Sequence, residues 1–262
     1  MPARLLRRRP PGAGLSGPVL TTLLIVAAGA ALAGFVTGLA GFGTGLVALG
    51  VWLHVLDPLL AAPLVVICSV VGQAQSLFRL RRAVVWARLR PFLLGGLPGV
   101  PLGVLLLDAL DPELFRGLVG VFLLLYAGIM LSLRRMPVLR FGGGFADAAV
   151  GLGGGVMGGV AGLSGPLPTI WCGLKGWNKD EQRSVFQGFN LTILGFALLS
   201  QAIGGVVTPE VLLLGLACLP ATSLGAWLGH RVYGRIDDRQ FRRLVLWLLM
   251  ASGLALTVTN LF

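Results

Sequence analysis

The stretch Gly151–Pro168, near the middle of the chain, reads GLGGGVMGGVAGLSGPLP and carries no charged residue. A glycine inside a helix costs about 1 kcal/mol relative to alanine. A proline removes a backbone donor and strains a continuous helix. Pro166 and Pro168 therefore predict that the helix formed by this stretch breaks near Gly165. At membrane depth, broken backbone is tolerated only where protein or a water-filled cavity surrounds it.

The rest of the chain has the composition of a membrane protein. Of its 262 residues, 56% are hydrophobic and only 12% are charged, whereas soluble domains carry roughly a quarter charged residues. Runs without Asp, Glu, Lys or Arg cover approximately 10–56, 58–78, 91–107, 117–133, 148–174, 184–209, 211–229 and 244–262. Most can supply the ~17–25 apolar residues of a spanning helix. We predict an all-α membrane protein with about eight transmembrane segments and broken Gly-rich helices.

The first apolar run follows Arg4 and Arg7–Arg9, and Ala28-Gly29-Ala30 loosely resembles a signal-peptide cleavage site. The run continues to Leu53, which is too long for the apolar part of a signal peptide. We therefore expect residues 1–16 to form a basic cytoplasmic tail. A multi-pass protein of the cell (inner) membrane with a cytoplasmic N-terminus is predicted.

Two parts of the chain resemble each other. Three pairs of segments keep their order at offsets between 122 and 126 residues: Gly34–Gly41 with Gly158–Gly165, Leu97–Gly103 with Leu219–Gly225, and Glu113–Arg116 with Arg239–Arg242. Duplicated halves around a central site are a recurring transporter design. We predict two halves, 17–135 and 143–262, within one membrane domain. A duplicated bundle without a transport role is the alternative.

The net charge of +11 is spread over short Arg clusters that flank the apolar runs. This favours a role in topology and contact with anionic lipid head groups over nucleic-acid binding. If the first half crosses four times, the N-terminal arginines, Arg79–Arg90 and Arg134–Arg140 share the cytoplasmic side. In the second half, one crossing by 148–174 would place Arg231–Arg243 outside, whereas a broken or re-entrant segment would place them inside.

The Gly-rich stretches Gly34–Gly45 and Gly151–Pro168 are the best candidates for a binding site. Free amides at the positive end of an interrupted helix attract an anion, and glycine lets a ligand approach the backbone. Close helix packing through small residues four apart is the alternative interpretation. Arg183 can either draw anions in or extend to lipid head groups. The candidate substrate-binding residues are Gly38, Gly41, Thr44, Gly162, Ser164, Gly165, Arg183 and Asn190.

Neither a metal site nor a cofactor motif is present in the sequence. Cys68, Cys172 and Cys218 stand singly, without metal-ligand spacing, and no nucleophile–base pair lies within the apolar runs. We expect a non-enzymatic protein without metal or cofactor. A membrane assembly or regulatory subunit, or less readily a membrane enzyme, stays open. Asp147 is the acid that comes closest to a segment interior, so transport should not depend on a buried carboxylate relay.

The paired Gly-rich openings, four apolar segments per half and the repeated Leu-Pro-x-x-x-Leu-Gly at Leu97 and Leu219 resemble the TauE/SafE sulfite exporter family, also called the TSUP transporters. The resemblance covers residues 20–262, and the Gly-Leu-Ser-Gly-Pro run at Gly162 suggests a subgroup. It implies a permease for small sulfur-containing anions such as sulfite, thiosulfate or organosulfonates. The oligomeric state is not indicated.

Overall fold

A computed structural model describes residues 17–80, 85–133, 138, 142–232 and 238–261. The described residues contain ten helices and no strand. In chain order they are α1 (Gly17–Ala40), α2 (Thr44–Trp52), α3 (Pro58–Leu80), α4 (Trp86–Ala109), α5 (Pro112–Ser132), α6 (Gly144–Ala161), α7 (Pro166–Leu174), α8 (Lys179–Ile203), α9 (Pro209–Val232) and α10 (Asp238–Leu261). All but α2 and α7 are long and apolar enough to cross a membrane. The predicted all-α membrane fold with about eight spans is confirmed.

The first two helices form a hairpin because α2 folds back along α1. Trp52 Nε1, at the end of α2, donates to the carbonyl of Val26 in α1 at 3.1 Å. At the other end, the hydroxyls of Thr37 and Thr44 are hydrogen-bonded. Gly43, with φ 110°, stands at the reversal, where the backbone is in a region that glycine adopts far more readily than other residues.

The helices α6 and α7 form a second hairpin of the same kind. Trp171 Nε1, in α7, donates to Asp147 Oδ1 near the start of α6 at 2.7 Å. α6 ends at Ala161 and α7 begins at Pro166, so the interruption lies where the glycine and proline pattern predicts it. We call Gly41–Gly43 the first tip and Gly162–Gly165 the second tip.

Each hairpin packs against a helix from the other half of the chain. An added Cβ at Gly34 of α1 would lie 2.2 Å from the carbonyl oxygen of Thr222 in α9, and one at Gly38 would lie 2.2 Å from that of Ala226. α6 meets α4 in the same way, with Gly155 against the Gly96 carbonyl at 2.0 Å. In both pairs, a residue further along one helix contacts a residue further along the other. The two helices of each pair therefore run parallel.

These directions place the helix ends on two opposite faces of the molecule. α1, α3 and α9 run parallel, since Gly72 of α3 lies near Thr37 and Thr222 and Gly215 of α9 lies near Ile67. The starts of α1 and α3 therefore share one face. We call it the acidic face, because its connections carry Asp57, Asp108, Asp111, Glu113 and Glu210. The opposite face, where α3 and α9 end, is the basic face.

The basic face carries positively charged side chains at its helix ends. Those that the structure describes are Arg88, Arg90, Lys175, Arg183, Arg231 and Arg243. The expected clusters at Arg81–Arg82, Arg134–Arg135, Arg140 and Arg235 lie outside the described residues. The sequence left two topologies open for the second half, and the hairpin α6–α7 selects the re-entrant one.

The first half has four helices long enough to cross a membrane, as expected, but α2 adds a return that changes which helix ends share a face. α1 and α2 return the chain to the face where α1 begins, so the α1 start and the end of α3 lie on opposite faces. Hydropathy could not show this, because the average over 10–56 is the same for one crossing and for a hairpin.

At the centre, α3 and α8 run antiparallel. Gln187 Nε2 of α8 donates to Ser76 Oγ of α3 at 2.9 Å, while Ser69 of α3 and Leu194 of α8 line the same cavity. The first hairpin enters from the acidic face and the second from the basic face. This is the arrangement that inverted repeats would produce.

Candidate functional site

The two tips meet inside the protein, between α3 and α8. An added Cβ at Gly45 would lie 2.7 Å from the Gly162 carbonyl oxygen, and one at Gly165 would lie 3.4 Å from Phe42 Cβ. The contacts are this close because the facing residues are mostly glycine. The first turns of α2 and α7 thus come together at one place.

A cavity of about 10 Å³ lies between the tips, about the room needed for one water molecule. Its walls are the start of α2, the second tip with the start of α7, and one side each of α3 and α8. The lining residues are Gly43, Thr44, Gly45, Leu46, Ser69, Gln73, Gly162, Leu163, Ser164, Gly165, Pro166, Asn190 and Leu194. Among these described lining residues none carries a charge.

The two helix starts offer unequal numbers of backbone donors. The first amides of a helix have no partner within it, and in α2 these belong to Thr44, Gly45 and Leu46, which line the cavity. In α7 the corresponding turn contains Pro166 and Pro168, which lack an N–H. Backbone donation to a ligand in the cavity would therefore come mainly from α2.

Besides Thr44, four polar side chains add to the lining. Ser164 Oγ, on the second tip, donates to Asn190 Oδ1 of α8 at 3.0 Å. Ser69 Oγ and Gln73 Oε1, both on α3, are buried without a hydrogen-bond partner. All four residues are at most 2% exposed. A buried polar group without a partner costs about 1–3 kcal/mol, a cost that a bound ligand would remove.

The family model of the sulfite exporter TauE/SafE matches residues 26–256. The chain belongs to the TauE/SafE sulfite exporter family. This is a family of membrane transporters rather than of enzymes. No curated protein and no solved structure matches the chain.

The TauE/SafE fold brings together five of the eight residues proposed from the sequence. Thr44, Gly162, Ser164, Gly165 and Asn190 line the cavity. The other three lie elsewhere. Gly38 packs against the Ala226 carbonyl of α9, while Gly41 contacts the side chains of Gln187 and Arg183.

Arg183 is 9% exposed, and its Nε lies 3.1 Å from where a Cβ of Gly41 would be. The side chain is therefore packed beside the first tip instead of reaching lipid head groups. It lies on the basic-face side of the cavity, because α8 starts at that face.

Sequence reasoning missed Ser69 and Gln73. The available signal was the spacing of Ser69, Gln73 and Ser76, which places three polar side chains along one side of an otherwise apolar helix. The Gly-rich stretches drew attention to the tips and away from the helices that hold them.

Asp147, the acid closest to a segment interior, holds the second hairpin together in this transporter. Its Oδ1 lies 2.9 Å from Lys175 Nζ and accepts the Trp171 indole N–H at 2.7 Å. Lys175 also donates to the Gly142 carbonyl and lies over the Trp171 ring. The carboxylate is thus bonded across the two arms of the hairpin, away from the cavity lining.

Proposed function

We propose that the chain is a secondary transporter of small sulfur oxyanions, of the size of sulfite or thiosulfate, which bind between the two tips. The observation that supports this most directly is the cavity itself. It joins the free amides of α2 to unpartnered polar groups on α3.

Neutral donors suit a transported anion. An uncompensated charge in a low-dielectric interior costs many kcal/mol, so donors must replace the water that the anion sheds. The α2 amides, the Ser69 hydroxyl and the Asn190 NH₂ group supply them, and the Ser164 hydroxyl can do so once its bond to Asn190 opens. Without a Lys or Arg in the lining, the anion is held loosely enough to be released.

The cavity has room for about one water, which is smaller than a sulfur oxyanion. Binding therefore requires the tips to move apart, and the structure corresponds to a closed form. The glycines at both tips permit such movement, because they carry no side chains that interlock.

For the orientation in the cell membrane we propose a cytoplasmic basic face, because Lys and Arg are retained on the cytoplasmic side. With this fold, α1 then begins on the external side. This proposal replaces the expectation of a cytoplasmic N-terminus, and the four arginines of residues 1–16, which lie outside the described residues, would be the exception to the charge rule. The neighbouring anionic lipid head groups would contact the basic face.

The deciding experiment is uptake of radiolabelled sulfite and thiosulfate by liposomes that contain only the purified chain. We expect saturable uptake that Asn190→Leu reduces about tenfold or more, the effect of losing roughly 1.5 kcal/mol of hydrogen bonding to a charged group. The matched control is Thr192→Val, because Thr192 is exposed on the same helix and bonds only to its own helix backbone.

Absence of any flux from a correctly folded parent protein would overturn the proposal and favour an assembly or regulatory subunit. Equal loss in Asn190→Leu and Thr192→Val would place the anion site elsewhere.

A further inference from the structure

The contact between α3 and α8 is polar on the basic-face side of the cavity. Four residues there face the helix contact or the first tip, and we call them the polar seam: Gln73, Ser76, Arg183 and Gln187. They are 2%, 0%, 9% and 0% exposed. Gln187 Nε2 donates to Ser76 Oγ across the seam at 2.9 Å and lies 3.4 Å from the Gly41 carbonyl oxygen at the first tip.

The residues of the opposite half that correspond to the polar seam lie on the acidic-face side of the cavity. α3 begins at Pro58 and α8 at Lys179, so corresponding positions on these two helices differ by 121 in number, one less than the smallest offset between the repeated sequence segments. The tips support this spacing, since Gly41 and Gly162 both have positive φ, 83° and 66°. Val65 and Val66 contact the position of Gly162, as Phe186 and Gln187 contact that of Gly41.

The counterparts of the polar seam are all apolar. Leu194 corresponds to Gln73, Ala197 to Ser76, Val66 to Gln187 and Ala62 to Arg183. We call these four residues the apolar seam, and each is at most 2% exposed. One turn beyond Ala197, Gln201 donates its amide to the Gly159 carbonyl of α6 at 3.1 Å, and its Oε1 is buried without a partner.

We propose that the anion passes between α3 and α8 along the polar seam to the basic face, and that the apolar seam is a hydrophobic gate toward the acidic face. This rests on the proposed transport function and assigns a route to it. Narrow apolar constrictions close a pathway by losing water, and an anion entering one loses hydration without gaining donors.

Features of the polar seam fit a route better than they fit packing. Gln73 Oε1 and Gln187 Oε1 are both buried without a hydrogen-bond partner. At the corresponding positions the opposite half has Leu194 and Val66, which have no polar group to satisfy. The two buried glutamine oxygens therefore lower the stability of the fold, and stability alone does not explain why they are there. A side-chain amide can also turn to present its NH₂ group to an anion. Arg183 adds positive charge at the end of the seam nearest the basic face.

The test compares two positions that correspond to each other, Ser76 and Ala197, both fully buried. In a background with Cys68, Cys172 and Cys218 replaced by alanine, Ser76→Cys and Ala197→Cys are reconstituted in liposomes with known orientation. An impermeant thiol reagent that carries a sulfonate is then added on one side at a time. The measured quantity is the rate of thiol modification.

We expect the Ser76→Cys protein to react from the basic face at least about tenfold faster than the Ala197→Cys protein reacts from the acidic face. This ratio corresponds to a difference of about 1.4 kcal/mol in the free energy of opening. Adding Leu194→Ser to the Ala197→Cys protein should accelerate its reaction from the acidic face. Leu199→Ser, at an exposed position on the same helix, is the control and should have no such effect.

Equal rates at the two positions, or faster reaction at 197, would overturn the proposed route. So would a Leu194→Ser effect no larger than that of Leu199→Ser. Because thiol modification does not require sulfite transport, asymmetric labelling in a protein without sulfite flux would retain the route and reject only the proposed substrate.

Discussion

At the scale of single residues, the contact between the second tip and α8 depends on one side-chain pair. Ser164 Oγ donates to Asn190 Oδ1 at 3.0 Å, and both residues are 1% exposed. The pair joins the tip to the helix, and both side chains also line the cavity. A substitution at either position therefore changes a polar group in the cavity lining and also frees the tip.

This double role predicts non-additive effects on binding. Ser164→Ala and Asn190→Leu should each weaken sulfite binding, and the double variant should lose less than the two losses added. The expected coupling is about 1 kcal/mol, within the range for residues in one hydrogen-bonded network. Equilibrium binding to the purified variants measures it, with Thr192→Val as control. Fully additive losses would mean that the two groups act independently.

Asp147 carries a prediction that separates stability from transport. Asp147→Asn keeps an acceptor for Trp171 but removes the ion pair with Lys175. We expect a loss of about 1–3 kcal/mol in the free energy of unfolding, with sulfite flux mostly intact. Thermal unfolding in detergent and flux in liposomes give the two quantities. Loss of pH-gradient-driven flux in a folded variant would instead show that Asp147 takes part in a proton relay.

Residue patterns predicted part of the site. Asn190 and Ser164 stand out because a polar side chain within an apolar segment requires a partner. Gly38 was proposed for the same reason as Gly41 and Gly162, yet it serves close packing against Ala226. Sequence spacing fits both uses of glycine equally well, since either one requires only the absence of a side chain.

At the scale of helices, stability rests on the close parallel pairs α1–α9 and α4–α6. An added Cβ at Gly34 would lie 2.2 Å from the Thr222 carbonyl oxygen, and backbone cannot move aside as a flexible side chain does. Because lipid is as apolar as the helix surface, the hydrophobic effect does not hold membrane helices together. Close packing stabilises these pairs instead.

We therefore predict that Gly34→Ala lowers the free energy of unfolding by about 1–3 kcal/mol, the usual cost of overpacking. The control is Gly128→Ala, because Gly128 lies in helix α5 with open space where the Cβ would be. There alanine should be neutral or stabilising by up to about 1 kcal/mol. Thermal unfolding of both variants in detergent distinguishes them. Equal behaviour would contradict the packing role of Gly34.

The helical class and the helix interruption near Gly165 could be predicted from composition and from two prolines. The reversal at the first tip could not, although Gly41 and Gly43 are two of the glycines that adopt positive φ. Hydropathy records how apolar a segment is and carries no information about its direction. The contacts of Trp52 with Val26 and of Thr37 with Thr44 identify the hairpin.

For the whole molecule, the two hairpins enter from opposite faces, so the halves are inverted relative to each other. An inverted pair gives two routes to one central site, which alternating access requires. The polar seam and the apolar seam occupy equivalent positions on those routes. The structure would then be closed more firmly toward the acidic face than toward the basic face.

The same arrangement predicts the membrane topology. The α1 start and the end of α4 lie on the acidic face, whereas Val138 follows α5 on the basic face. Cysteines introduced at Ser16, Ala109 and Val138 should therefore fall into two groups. With a cytoplasmic basic face, an impermeant thiol reagent should label intact cells at 16 and 109, and at 138 only after permeabilisation.

Two different results would contradict two different parts of this topology. Labelling of 16 and 138 from the same side would mean that α1 and α2 together cross the membrane, which the fold-back of α2 onto α1 excludes. Labelling of intact cells at 138 alone would agree with the hairpins but reverse the proposed orientation. The basic face would then be external, and the four N-terminal arginines would decide the orientation instead of the more numerous charges of the basic face. Hairpin geometry fixes which ends share a face, and only the distribution of charge decides which face is cytoplasmic.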